Sequence, residues 1–93
     1  MPNCAVCCVL GNVLREQGDI DAAVAQYRQA LTIRPDDAWI HNNLGIALRA
    51  QSKQLEAIAH YEKALAIRSD YAAVHRNLGN ACGNKVSLRA TAQ

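Results

Sequence analysis

The residue types that carry most enzyme chemistry occur in this chain without the spacing that chemistry needs. Cys4, Cys7 and Cys8 crowd the N-terminal end, and Cys82 lies far along the chain. Zinc needs four ligands in a tetrahedral array, commonly supplied by two such clusters. No serine or cysteine nucleophile with a histidine base is set up, and no glycine-rich phosphate loop occurs. We therefore predict no metal, no cofactor and no catalytic residue, and a chain that is not an enzyme.

The same cysteines indicate a cellular compartment. A disulfide framework would space its cysteines so that they close several loops, whereas three of these four lie within five positions. We expect free thiols that serve as small hydrophobic groups, and a cytoplasmic location.

Side-chain amides offer a different chemistry, that of recognition. Asn42, Asn43, Asn77 and Asn80 fall within helical patterns, although Asn is a poor helix former. An amide has two donors and one acceptor, enough to hydrogen-bond the backbone of an extended peptide. The alternative is a face that is merely solvated.

Composition excludes several classes of protein. The 93 residues allow one small domain, with 51% hydrophobic, 19% charged and 4% aromatic residues and a net charge of +2. This is too apolar for a disordered chain and too nearly neutral to favour nucleic acid. No apolar stretch approaches the ~20 residues that span a bilayer, so we expect no membrane partner.

The elements that position these residues follow from an internal repeat. Shifting the chain by 34 positions superimposes Leu10-Gly11 on Leu44-Gly45 and then on Leu78-Gly79. The same shift pairs Ala23 with Ala57, Tyr27 with Tyr61, and Ala30 with Ala64. A fixed period of this size indicates a stacked array of one helical unit. The recurrent glycines predict a close helix approach, which we assign to the paired alanines, with the tyrosines between successive units.

Apolar residues at 3–4 spacing predict the helices themselves. Gly18 is the expected C-cap of the first helix and Asp19 the N-cap of the second. Asp36 or Asp37 is expected to cap the third helix, and Asp70 the fifth. The predicted helices are near 4–17, 20–33, 37–51, 54–67 and 71–83. The predicted units are repeat 1 at 4–37, repeat 2 at 38–71, partial repeat 3 at 72–86 and a frayed tail at 87–93.

With Leu-Gly, Ala, Tyr, Ala and Pro35 at these offsets, the chain resembles the tetratricopeptide repeat (TPR) family. The resemblance implies an all-α, right-handed α-solenoid of about two and a half helix-turn-helix units. It implies a non-catalytic scaffold whose first helices line a concave groove for a peptide or a partner protein. Carried over by position, the binding residues would be Asn12, Arg15, Trp39, Asn42, Asn43, Arg49, Arg76, Asn77 and Asn80.

Some of these positions have competing interpretations. The arginines favour an acidic peptide through bidentate pairing with carboxylates, or they only complement helix dipoles. Trp39 is an interface anchor or a residue that packs against the preceding repeat. The successive asparagines also resemble the TPR arms of O-linked N-acetylglucosamine transferases, so the chain could be a fragment of such an enzyme.

The ends of the array favour a further alternative, self-assembly. The segment 5–10 is apolar all round, and the repeat pattern stops after Cys82. An array whose ends are not capped exposes its stacking faces to water. We therefore expect a homo-oligomer, either a two-fold dimer or an end-to-end filament, and assign Val6 and Val9 to its contact.

Overall fold

The chain folds into helices that pair in chain order. The computed structural model describes residues 3–81. All its regular structure in that range is helical, and this confirms the all-α prediction. The helices are α1 (Cys4–Glu16), α2 (Ile20–Ile33), α3 (Ala38–Ala50), α4 (Gln54–Ile67) and the described part of α5, at 72–81. Each described end lies within a residue of its predicted position. The predictions for 82–86 and for the tail at 87–93 fall outside the described residues.

The two turns inside the repeats share one backbone geometry. After α1, the Gly18 N–H donates to the carbonyl of Arg15, and the Asp19 N–H donates to that of Leu14, at 3.0 and 2.8 Å. This is the Schellman arrangement, in which the residue past the C-cap takes a positive φ. Gly18 has φ +86°. In the second repeat the same position is Ser52, with φ 67°, a conformation that a non-glycine residue adopts at a cost.

Two of the three predicted N-cap residues occupy the N-cap position. The Asp37 carboxylate accepts from the backbone N–H groups of Trp39 and Ile40, at 2.9 and 3.3 Å, and so caps α3. Asp19 is the N-cap residue of α2, as predicted, but its side chain makes no capping hydrogen bond. The prediction was wrong at the third site, Asp70. The residue before α5 is Tyr71, and the Asp70 carboxylate lies 3.5 Å from Arg68 Nε instead.

In each of the first two repeats, a tyrosine of the second helix packs against a glycine of the first helix. A Cβ added to Gly11 would lie 2.7 Å from Tyr27 Cε1, and one added to Gly45 would lie 2.5 Å from Tyr61 Cε1. The glycines are therefore required by close approach, but of a tyrosine in the same repeat rather than of the alanines. Each tyrosine is fully buried, and its ring lies against the glycine of its own repeat.

The pairs stack into an array through nearest neighbours. The helix α2 packs on α3, and α1 also reaches α3, so α3 lies between the two halves of the array. The array extends 53 × 28 × 17 Å, as expected of a solenoid rather than a sphere. Within 3–81, no helix is both long and apolar enough to cross a membrane.

Candidate functional site

The clearest polar contact between repeats joins two of the candidate asparagines. Asn77 Nδ2 on α5 donates to Asn42 Oδ1 on α3, at 2.9 Å. Asn42 is 6% exposed and Asn77 is half-buried. The two residues are the fifth and sixth positions of successive repeat units. Amides therefore cross the interface between the first helices of repeats 2 and 3, and we call this contact the amide pair.

One repeat earlier, the same two positions are held by Cys8 and Asn43. Asn43 is also 6% exposed, but its Nδ2 is buried and has no hydrogen-bond partner among residues 3–81. The amide oxygen that would accept from it is replaced by a thiol, which is a weak acceptor. A buried donor without an acceptor costs about 1–3 kcal/mol. The interface between repeats 1 and 2 therefore has the Cys8 thiol where the interface between repeats 2 and 3 has the Asn42 amide.

A second buried donor belongs to Arg15, in the last turn of α1. Its Nη1 has no partner within the described chain, although the rest of the side chain is half-exposed. Burial raises the pKa of Tyr27 and of Tyr61, and the positive charge of Arg15 opposes the rise in both. Arg15 therefore lies close to the tyrosines of both repeats. Arg49, one repeat later, acts on the pKa of Tyr61 in the same sense.

The remaining candidates divide between structural and exposed positions. Asn12 Oδ1 accepts from the hydroxyl of Tyr27, so this amide holds α1 to α2. Arg76 and Asn80 are exposed on α5, outside the amide pair. Trp39 is 39% exposed and lines two open cavities at the turn between repeats, together with Ile33 and Arg34. None of the candidate binding asparagines lines either cavity, so Trp39 belongs to a separate part of the surface.

The two residues assigned to self-association lie on an exposed apolar strip of α1. Val6 is 53% exposed and Val9 is 63% exposed, and Leu10 and Val13 extend the strip at 42% and 43%. We call these four residues the outer face of α1. The residues one period later are Ile40, Asn43, Leu44 and Ala47, and all four are buried. Their helix, α3, packs on α2 and α4 and also contacts α1.

Two contacts between side chains were not predicted from the sequence. His41 Nδ1 lies 3.0 Å from His60 Nδ1, and His41 Nε2 lies 2.8 Å from the carbonyl oxygen of Pro35. Cys4 Sγ lies 3.8 Å from Cys8 Sγ. The four-residue spacing of the cysteines could have indicated their contact, since residues four apart share a helix face. Nothing in the spacing of the histidines indicates theirs.

The stacked helix pairs define the class of the protein, an all-α solenoid of repeated units. Residues 11–52 and, again, residues 47–85 match the family model described as the TPR repeat. The two matches cover most of the chain, which therefore belongs to the TPR family. TPR repeats generally mediate protein–protein interaction and are typically non-catalytic. No curated protein matches the chain.

Proposed function

We propose that the chain binds an extended peptide, or a segment of a partner protein, across the first helices of its repeats. The observation that carries this proposal is the Nδ2 of Asn43, one repeat before the amide pair, which has no hydrogen-bond partner among residues 3–81. Arg15 adds a second such donor on the neighbouring first helix. Both atoms are covered in the free chain, so their side chains must turn outward to donate to the carbonyl or carboxylate oxygens of a peptide.

The choice of ligand follows from the balance of donors and acceptors. A guanidinium binds carboxylate more strongly than a neutral carbonyl, so an acidic side chain near Arg15 is favoured. Arg49 and Arg76 add positive charge on α3 and α5. We propose that binding is non-catalytic and takes place in the cytoplasm, the latter on the distribution of cysteines alone.

A peptide library tests this proposal without a known ligand. The probe is a display library of unstructured 12-residue peptides, selected on the immobilised full chain. We expect enrichment of peptides with acidic residues. The variants Asn43→Ala and Arg15→Gln should weaken the selected peptides by about 5-fold and about 10-fold or more, one neutral and one charged hydrogen bond.

Two controls separate groove binding from unfolding. Gln54→Ala removes a partly exposed amide on α4, outside the first helices, and should leave the affinity unchanged. Far-ultraviolet circular dichroism should show that the helix content of every variant equals that of the parent chain. Peptides that bind Asn43→Ala as tightly as the parent would contradict the proposal, as would a selection that enriches nothing.

Self-association is a second candidate, favoured by the outer face of α1. The equivalent residues of α3 are buried, whereas Val6, Val9, Leu10 and Val13 expose 42–63% of their surfaces. Contiguous apolar patches of this kind usually mark an interaction site. We propose that a second copy covers the outer face, by two-fold pairing or by end-to-end stacking.

Light scattering across a concentration series tests the second candidate. The parent chain should increase in mean mass with concentration, and Val6→Lys or Val9→Lys should lower that mass toward 10.1 kDa. Leu55→Lys is the matched control, since Leu55 is a 70% exposed aliphatic residue on α4, away from the outer face. A parent chain that stays monomeric at millimolar concentration would exclude this candidate and leave peptide binding untouched.

A further inference from the structure

The outer face of α1 has the same residue spacing in both directions along the helix. Val6 and Val13 lie at its two ends, and Val9 and Leu10 form its centre, so the steps are three, one and three residues. A surface that matches itself when it is turned end for end can pair with a second copy about a two-fold axis. In such a pair, Val6 of each copy contacts Val13 of the other, and Val9 and Leu10 lie at the axis.

The outer face also forms a shallow groove with an apolar lining. An open cavity of about 390 Å³ lies against the four residues of the outer face and Ala5. A groove between the side chains of one helix accepts the side-chain ridge of another. Because a charged or polar group loses its water when it is buried against such a lining, the matching surface must itself be apolar.

The other described end of the array does not offer an apolar match. There, α5 packs on α3 through the amide pair, and its Val74 and Ala81 are already fully buried. The side chains that the described part of α5 exposes are those of Ala72, His75, Arg76 and Asn80. End-to-end stacking would bury these mostly polar groups against the outer face of the next copy and cost their desolvation.

The exposed apolar residues beside Trp39 are also a poorer match. Ile33 and Trp39 line a cavity together with Arg34 and Asp37, and both charged residues are at least partly exposed. Covering this surface with the outer face of another copy would therefore desolvate charged groups as well. Among residues 3–81, the surface that matches the outer face best is the outer face itself.

The charge at one end of the helix favours an antiparallel orientation. Glu16 is exposed at the C-terminal end of α1, three residues beyond Val13, and the first turn of α1 has no acidic residue. An antiparallel pair places Glu16 of each copy near the N-terminus of the other copy's α1, where the helix dipole favours negative charge. A parallel pair would instead bring the two Glu16 carboxylates together, and like charges repel.

We propose that two copies of the chain pair through the outer faces of their α1 helices, antiparallel and about a two-fold axis near Val9 and Leu10. This geometry rests on the self-association proposed for the outer face and specifies its partner surface. One 13-residue helix from each copy makes a small contact beside the roughly 1,200 Å² or more that stable interfaces bury. We therefore expect a weak dimer, with a Kd on the order of 100 µM.

Mixing two variants of opposite charge tests this geometry. Val6→Lys alone or Val13→Glu alone buries unpaired charges in the dimer and should weaken it by about tenfold or more. An equimolar mixture of the two should recover a Kd within about fivefold of the parent value, because the new lysine meets the new glutamate. The other contact of the mixed dimer remains Val6 against Val13. Sedimentation equilibrium measures each Kd, with a phosphine reductant that prevents disulfides between copies.

The matched control is a mixture of Val6→Lys with Val6→Glu. It carries the same two charges, but in the antiparallel pair each charge meets Val13 of the other copy. Its dimer should therefore stay weaker than the parent by about tenfold or more. Both substituted positions are exposed, so circular dichroism of every variant should show the helix content of the parent chain.

The outcomes separate this geometry from self-association in general. A parent mass that rises past twice 10.1 kDa without a plateau would indicate end-to-end stacking, and it would overturn the antiparallel pair alone. Recovery in the control mixture would overturn it in favour of a parallel pair. Recovery in neither mixture would assign the outer face to a different surface of the second copy. A parent chain that stays monomeric at millimolar concentration would overturn both the antiparallel pair and the self-association on which it rests.

Discussion

A glycine occupies position 8 of each repeat, and in the first two repeats a tyrosine ring lies beside it. In α3, Gly45 faces the Tyr61 ring at a distance that excludes a Cβ. In α5, Gly79 occupies the equivalent position, and a Cβ there would meet nothing within 4 Å among residues 3–81. The same substitution at the two sites therefore separates packing from helix propensity.

We expect opposite effects on stability from these two substitutions. Gly45→Ala should lower the free energy of unfolding by about 1–3 kcal/mol, the usual cost of overpacking a core. Gly79→Ala should raise it by up to about 1 kcal/mol, because alanine is the better helix former. Urea denaturation followed by circular dichroism measures both. A stabilised Gly45→Ala would show that the tyrosine ring moves aside at little cost.

Also at the residue scale, the side chain at position 8 of the chain, Cys8, determines whether the Asn43 amide finds a hydrogen-bond acceptor. Cys8→Asn would restore the amide pair seen between Asn42 and Asn77. We expect about 0.5–1.5 kcal/mol of added stability, the value of one satisfied buried hydrogen bond. Thermal and urea unfolding measure the gain. It should vanish in an Asn43→Ala background and should not occur in Cys8→Val; a gain that survives Asn43→Ala would contradict this explanation.

At the scale of the element, the turns that join the helices of each repeat differ in one residue. Gly18 and Ser52 have the same hydrogen-bonded geometry and the same sign of φ. The left-handed conformation costs roughly 1–2 kcal/mol for a residue with a Cβ. Ser52→Gly should therefore stabilise the turn after α3 by about 1 kcal/mol.

The reverse change in the first repeat is the control. Gly18→Ala should destabilise the chain by a similar amount, since the added Cβ is strained by the backbone even though it meets no neighbour within 4 Å. Differential scanning calorimetry gives both values. No effect in either variant would mean that the two turns relax to another conformation.

Much of this geometry could be predicted from the sequence, and the exceptions have physical reasons. The 34-residue period fixes the helices and the close approach at Gly11 and Gly45, because both depend on residues that recur. The contact of Asp70 was not predictable from residue type, since the N-cap of α5 falls one residue later, at Tyr71. The Cys4–Cys8 contact and the Asn43 amide without a partner among residues 3–81 depend on single side chains that differ between repeats, where periodicity gives no information.

At the scale of the whole molecule, the histidine pair links stability to pH. A carbonyl accepts only from N–H, so the contact with Pro35 places the proton of neutral His41 on Nε2, and His60 donates to its Nδ1. Burial, and after it the positive charges of His41, Lys63 and Arg28, together lower the pKa of His60 from 6.5 to about 4. The two histidines line an open cavity together with Asp36 and Lys63.

The sign of the pH effect follows from proton binding. Between pH 4 and pH 6.5 the unfolded chain binds more protons at His60 than the folded chain does. The free energy of unfolding should therefore be fully developed above pH 6.5 and should fall toward pH 4, by on the order of 2 kcal/mol for a half-buried group.

Urea unfolding at several pH values measures this slope. His60→Gln should flatten it, because glutamine can still donate to His41 but does not titrate. His75→Gln is the matched control, as His75 is exposed and bonds only the carbonyl of Ser69. A slope unchanged in His60→Gln would assign the pH dependence to other groups.

The position of α3 between two neighbours determines how the array opens. Nine of its residues are buried, whereas three or four are buried in each of α1, α2 and α4. The helix α1 contacts α2 and α3 but not α4, so it can detach while α3 keeps its contacts with α2 and α4. Amide hydrogen exchange in deuterated water should therefore be slowest in α3 and faster in α1, the first helix of the described array, which opens before the array unfolds.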